Sequence, residues 1–438
     1  MAKDISKDAG FRYEGLVRPE GFVHRRLYTD PEIFADEMVK IFGAGWVFLL
    51  HEAEIPNVND FKTITVGRRS TIVTRDSNGI ISALLNRCTH RGSPVCFLEQ
   101  GNARRFVCPY HNWTFDNGGK LMSVPLPDGY GQSFDRSTRG LGKFPRVENY
   151  RGFVFGSLNP TVEPLSEWLG HAKGYIDWTI DSDPAGENGV RIVRGSHMYY
   201  KGNWKHQADN DVDGYHAPFL HNSTALMNRR RHGAGRGLAA PQEFDRAYVK
   251  YLGNGHKLLD TRAIYAGEAW ERARPIPGRE THRAAILNQA GPEAGAQLLE
   301  RTGRTGINLI IFPNLFILGN GSFAVFEPVA VNRTNIRYYT VLINDAPNEL
   351  NTLRIRFEED FNNVGGRDDA AALEAVQDSL ESIPEMEWLD VSRGVDRETV
   401  DETGLVRGHK TDETPVRHSY GHWLKMMSRE PKLSVGNN

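Results

Sequence analysis

The chain has 438 residues, 39% of them hydrophobic and 25% charged, as expected of a folded, water-soluble protein long enough for two or three domains. Its formal net charge of −2 comes without a long run of either sign, which excludes a nucleic-acid-binding tail. No stretch of about 18 apolar residues occurs, which excludes a helical membrane span.

The N-terminus, MAKDISKDAGFRYEGL, is polar and charged. It lacks the apolar centre of a signal peptide, so a soluble, cytoplasmic protein is expected. Residues 1–41 show weak periodicity and are expected to pack on the larger domain or on a neighbouring subunit. From 42 to 159 the pattern changes to short β-strands. FKTITVG, STIVTRD and IISALLN alternate and are β-branched, with a tight turn at Asp76-Ser77-Asn78-Gly79, as in a strand meander. Further strands are expected around RFVCPY, NWTFDNGGKLM and RGFVFGSL.

From residue 160 to 438 the chain mixes helices and strands. EWLGHAKGYIDWTI has helical apolar spacing, and NLIIFPNLFIL and IRYYTVLIN read as buried strands. DDAAALEAVQDSLESI, beginning at Asp368, opens with acids and continues in strong helix formers, which predicts a helix starting there. The fold class is therefore α+β. The basic patch at Arg229, Arg230, Arg231 and Arg236 reads either as a solvated loop or as a partner for an anion. Its RHGAGRG segment lacks the preceding strand and following acid of a nucleotide loop.

The three cysteines, Cys88, Cys96 and Cys108, fall within 21 residues. An odd, sparse set argues against a disulfide scaffold. Cys88-Thr89-His90 and Cys108-Pro109-Tyr110-His111 each offer one thiolate and one imidazole, with 17 residues between His90 and Cys108. Two Cys and two His can hold tetrahedral zinc or a [2Fe–2S] cluster. Glycine and proline beside these residues favour the cluster, because backbone amides must turn inward towards bridging sulfides. CTHRG followed by CPYHNW resembles the signature of a Rieske iron–sulfur domain. That resemblance implies a small antiparallel β-sandwich, with Cys88 and Cys108 on one iron and His90 and His111 on the other. Cys96 lies outside the pattern and reads as a small buried hydrophobe.

A Rieske centre moves single electrons, so the remaining residues should hold an acceptor. DVDGYHAPFLH, Asp211 to His221, places His216 and His221 five positions apart. On an ideal helix these point about 140° away from each other. A broken or π-type turn near Pro218 would bring them together. The string NWK…DN…DGYH…H is similar to the mononuclear iron motif of ring-hydroxylating oxygenase α subunits. The match, with the Rieske motif before it, spans nearly the whole chain.

The resemblance implies a catalytic domain with an antiparallel sheet flanked by helices, of the START or helix-grip type. It implies a non-haem Fe(II) held by His216, His221 and a carboxylate. The position of that carboxylate maps onto Asp369, with Asp368 as its rival and with Glu358, Glu359 and Asp360 on a solvated helix face. Asp213 would orient His216 and bond His111 of a neighbouring subunit. Asp209 stands where relatives often carry Glu. The implied activity is that of a terminal oxygenase that dihydroxylates an aromatic substrate with O₂ and electrons from a separate reductase or ferredoxin. DGYH, in a segment one residue shorter than in naphthalene-type enzymes, is nearer the benzoate, toluate and aminobenzoate group, so an aromatic carboxylate is expected. Trimers, α₃β₃ with a small β subunit or α₃, are implied. The alternatives are a Rieske monooxygenase that hydroxylates or dealkylates an aromatic acid, a non-catalytic Rieske electron carrier, and a zinc-bound interaction protein.

Overall fold

The computed structural model describes residues 13–181, 189–223, 226, 230, 245–264, 279–301, 306–319, 321–346 and 348–436. The chain divides into two compact units. The small one comprises Asp36–Leu165 and Glu430–Asn438, and the large one Met1–Ala35 and Ser166–Arg429.

The small unit is built from short antiparallel strands. The meander Asp60–Val66, Arg69–Arg75 and Ile81–Leu85 forms one sheet, with Gln100–Asn102 on its edge. Its turn is fixed by Asp76: the carboxylate accepts from the amides of Asn78 and Ile80, and Gly79 takes a positive φ of 82°. A second sheet joins Arg105–Val107, Thr114–Asp116 and Leu121–Ser123, and a third joins Arg146–Tyr150, Phe153–Ser157 and Val47–His51. Phe153–Ser157 is the middle strand of the third sheet and is buried on both faces. The core between the sheets includes Phe61, Ile72, Leu84, Phe106, Trp113 and Phe115. Each such side chain contributes about 1.5–3 kcal/mol on burial. From sequence the third segment runs to residue 438, but Glu430–Asn438 belongs to the small unit. There Gly436 and Lys143 exchange two backbone hydrogen bonds of 3.0 Å, and the Ser434 amide donates to the Leu158 carbonyl at 2.8 Å.

The large unit is organised on one nine-stranded antiparallel sheet. Its strand order is Val190–Tyr200, Arg333–Ile343, Ser322–Ala330, Leu315–Leu318, Ile307–Ile311, His256–Asp260, Tyr248–Gly253, Val406–His409 and Thr399–Val400. Strand Phe22–His24 pairs with Val17–Arg18 on one side and with Trp388–Asp390 on the other, in a separate small sheet. The helical segment expected near residues 167–180 is two helices, Leu165–Leu169 and Ala172–Ile180. Gly170 lies between them with φ +49°.

The helix expected to begin at Asp368 instead runs from Asn348 to Ser382, so Asp368 and Asp369 lie in its interior. Gly365 and Gly366 are buried within the helix. A Cβ on Gly366 would lie 3.6 Å from Met198 and 3.8 Å from the Tyr338 hydroxyl, at ordinary contact distance from the sheet. Side chains fasten the helix on both sides of this point. Asn351 bonds the Ile343 backbone twice, Glu358 accepts from the Ser196 amide and hydroxyl, and Gln377 accepts from the Asn203 amide. Glu358 is thus buried rather than on a solvated face, because strand Val190–Tyr200 offers it two donors.

Candidate metal centres

In the small unit, two loops carry the paired Cys and His residues, and their backbones close in the same way. The Cys88 amide donates to the Ser93 carbonyl, and the Gly92 amide to the Cys88 carbonyl. The Cys108 amide likewise donates to Trp113, and the Asn112 amide to Cys108. The residue that turns each loop, Gly92 or Asn112, has positive φ, as Gly and Asn tolerate best. The histidine stands two residues after the cysteine in one loop and three after it in the other.

Both cysteines are buried while His90 and His111 are half-exposed. The two imidazole rings lie 4.6 Å apart, and His90 stacks on Trp113 at 4.9 Å. Burial pushes the Cys88 thiol up, and the adjoining Cys108 thiol adds to this, while the amides of His90 and Arg91 pull it down. Two thiols facing each other in a buried pocket ringed by amides become stable as thiolates when they share a cation. This donor set fits a cluster with a buried cysteine side and an exposed histidine side. Cys96 is also buried, with its Sγ 3.5 Å from the Leu98 carbonyl.

In the large unit, His216 and His221 flank a single helical turn, Ala217–Leu220, with Pro218 in its first two positions. The regular helix ends there instead of adopting a π-turn, and this brings the two rings to 5.3 Å. The long helix presents Asp369 to both. Its Oδ1 lies 3.2 Å from His221 Nε2 and 3.5 Å from His216 Nε2. The three ligand atoms lie within 4.8 Å of one another, as a metal-binding group requires. Ligands about 2.1 Å from one ion at right angles stand about 3 Å apart, close to these spacings. Asp369 Oδ1 is buried and, among the described residues, accepts no well-formed hydrogen bond. An acceptor so placed between two imidazole nitrogens suits a shared cation.

The other nitrogens of the rings also face carboxylates. His216 Nδ1 lies 3.2 Å from Asp213 Oδ2, and His221 Nδ1 lies 3.6 Å from Asp368 Oδ2. Asp369 therefore faces the inner edges of the rings, and Asp368 the outer edge of one. Burial lowers the His221 pKa, but Asp369 and Asp368 outweigh it and the net shift is upward. The same carboxylates favour a bound cation. Asp211, beside the group, has its pKa pushed well up by burial and by the charge of Asp369.

Two features here escape sequence reading. Asp209 accepts from Lys257 at 2.6 Å and from the Tyr420 hydroxyl at 2.7 Å, and Tyr420 bonds Tyr28 in turn. These partners are scattered along the chain, so no local pattern announces them. Asn210 closes the turn that carries Asp213, its carbonyl accepting from the Asp213 amide at 3.1 Å. Of the basic patch, Arg229, Arg231 and Arg236 lie outside the described residues, and Arg230 is exposed.

A β unit built to hold a [2Fe–2S] cluster, joined to a sheet-and-helix unit with a two-histidine, one-carboxylate group, defines a Rieske non-haem iron oxygenase. The family model for the Rieske [2Fe-2S] domain matches residues 45–145, and that for the ring hydroxylating alpha subunit (catalytic domain) matches 165–429. The chain belongs to the ring-hydroxylating dioxygenase α-subunit family. It is 36% identical to the 2-halobenzoate 1,2-dioxygenase large subunit of Burkholderia cepacia, over 84% of this chain and 79% of that one. It is 32% identical to the anthranilate 1,2-dioxygenase large subunit of Acinetobacter baylyi, over 92% and 89%. Among solved structures, naphthalene 1,2-dioxygenase with indole bound in the active site aligns with a TM-score of 0.78 and 26% identity, over 94% of both chains. The chain is thus an oxidoreductase whose cofactors are a Rieske cluster and a mononuclear iron.

Proposed function

We propose that this terminal oxygenase dihydroxylates an aromatic carboxylate. The observation that carries the reading is the convergence of His216, His221 and Asp369 on one point in a chain that also carries the paired Cys/His loops. The substrate class is supported by the relatives named for 2-halobenzoate, anthranilate and toluate. In this reading Cys88 and Cys108 would ligate one iron of the cluster, and His90 and His111 the other. His216, His221 and Asp369 hold the mononuclear Fe(II).

Bound there, the two centres supply one-electron transfer and the activation of O₂. The rest is done by the chain. Asp213 holds a proton on His216 Nδ1, which leaves Nε2 free to ligate. Asp368 faces His221 Nδ1 in the same sense. The fastened helix keeps Asp369 at fixed height against both rings, and its charge balances the cation. Electrons would arrive from a reductase or ferredoxin, as in terminal oxygenases of this family. Asp213 also bridges to His111 of a neighbouring α subunit in a closed ring of three, α₃ or α₃β₃ with a small β subunit.

Reconstitution with a reductase, a ferredoxin and a panel of benzoates tests the activity. The expected product is a cis-diol formed with both atoms of one O₂. A singly hydroxylated or dealkylated product would replace this reading with a monooxygenase. Iron analysis tests the centres: about three irons per chain are expected, and His216→Ala should retain only the cluster's two. Two irons in the unaltered protein would leave a cluster carrier without the catalytic iron.

A further inference from the structure

The turn that carries Asp213 depends on a neighbour for its orientation. Asp213 Oδ1 accepts from the Tyr215 amide at 2.5 Å, and Oδ2 faces His216 Nδ1 at 3.2 Å. With one oxygen tied to the 214–215 peptide, the direction of the other follows that peptide. Gly214 is buried against Lys410. A Cβ there would stand 2.5 Å from Lys410 Cγ and 2.6 Å from its carbonyl oxygen, so only glycine lets the two backbones approach.

Tyr215 is held from the same side. The Arg393 guanidinium lies 4.1 Å from its ring centroid, and donates through Nε to the Thr411 carbonyl at 2.8 Å and through Nη2 to the Thr411 hydroxyl at 3.2 Å. A planar guanidinium can stack on a ring and donate sideways at once, which a lysine ammonium cannot do. The Tyr215 ring also meets Phe219 edge-on at 5.8 Å. Phe219 belongs to the single turn that separates His216 from His221.

We propose that Arg393 is a positioning residue for the mononuclear iron. It fixes Tyr215, and through the Tyr215 amide it fixes the Asp213 carboxylate and the His216 imidazole. The proposal rests on the reading of His216 as an iron ligand oriented by Asp213. A stack that served packing alone would change thermal stability and leave the affinity of the site for a cation untouched.

The test is calorimetric titration of Co²⁺ into the full chain depleted of its mononuclear iron, with the cluster absorbance recorded throughout. Losing a residue that orients a metal ligand weakens binding roughly 10-fold, so Arg393→Ala and Tyr215→Leu should each show that loss with cluster absorbance unchanged. Tyr215→Phe, which keeps the ring and the amide, should bind Co²⁺ as the unaltered chain does. Asp213→Asn separates the two levels of the reading. If it weakens Co²⁺ binding while Arg393→Ala and Tyr215→Leu stay within twofold of the unaltered chain, the role of Arg393 is overturned. If Asp213→Asn has no effect, the underlying reading of the Asp213–His216 pair fails. Should Arg393→Ala fold poorly, the contrast between Tyr215→Leu and Tyr215→Phe decides alone, and equal affinities would refute the proposal.

Discussion

His256 provides a direct measure of how the large unit answers to acid. Its ring is fully buried. Nδ1 accepts from the Phe312 amide at 3.1 Å, so Nε2 carries the proton and donates to the Trp168 carbonyl at 3.0 Å. Protonation would set an N–H against an N–H in a site without water's dielectric. Burial accordingly lowers the pKa from 6.5 to about 4. The folded pKa is depressed, so the residue costs nothing above pH 6.5. The cost grows as pH falls through 6.5 and levels off below about pH 4. At pH 5 the unfolded state has taken up its proton and the folded state has not, a loss of about 2 kcal/mol relative to pH 8. His256→Asn keeps an acceptor for the Phe312 amide and removes the titrating group. It should cost about 1–3 kcal/mol at pH 7 through the lost bond to Trp168. Its stability should then fall by about 2 kcal/mol less than that of the unaltered chain between pH 8 and pH 5. Native-state hydrogen exchange of core amides in the large unit, measured at the two pH values, gives this difference. Equal pH dependence in both proteins would refute the argument.

Three further outcomes follow from the same geometry. Asp369→Asn should lose the mononuclear iron and retain the cluster, because it removes the carboxylate that, among the described residues, meets both imidazoles; iron analysis with cluster absorbance reads this directly. Trp113→Ala removes a buried wall stacked on His90. It should destabilise the small unit by about 3–5 kcal/mol, seen as earlier thermal bleaching of the cluster. Glu413 has its pKa raised to about 7 by burial and by the charge of Asp213. The neutral form is favoured in the fold, so its contribution is full below about pH 4.5 and lost as pH rises to 7. Glu413→Gln should flatten this, by about 1–2 kcal/mol after allowing for solvent screening, in melting curves at pH 5 and pH 8.

The sequence displayed the cluster loops almost completely, because Cys88, His90, Cys108 and His111 sit in two short, regular turns whose ligand spacing is local. The same holds for His216 and His221, where Pro218 signals the broken helix. Legibility fails where the determinant is tertiary. Asp368 and Asp369 look like the start of a helix in isolation; in the fold they lie inside one that begins at Asn348. Glu358 looks like one more surface acid, yet Ser196, 162 residues away, meets it with two donors. Arg393 shares no motif with Tyr215 at all, and only the packed loops bring them together.

The long helix has one more implication, for how such a chain can change over evolutionary time. Asp369 lies inside Asn348–Ser382, with Glu358 and Gln377 tied to the sheet side before and after it. A residue inserted between Glu358 and Asp369 would swing Asp369 by about 100° and advance it about 1.5 Å relative to that tie, away from both imidazoles. On this geometry, gains and losses of length between His221 and Asp369 are expected before Asn348 rather than between Glu358 and Asp369. The helix behaves as a ruler with two pinned marks, and natural variation in the size of this region should stop at its first turn.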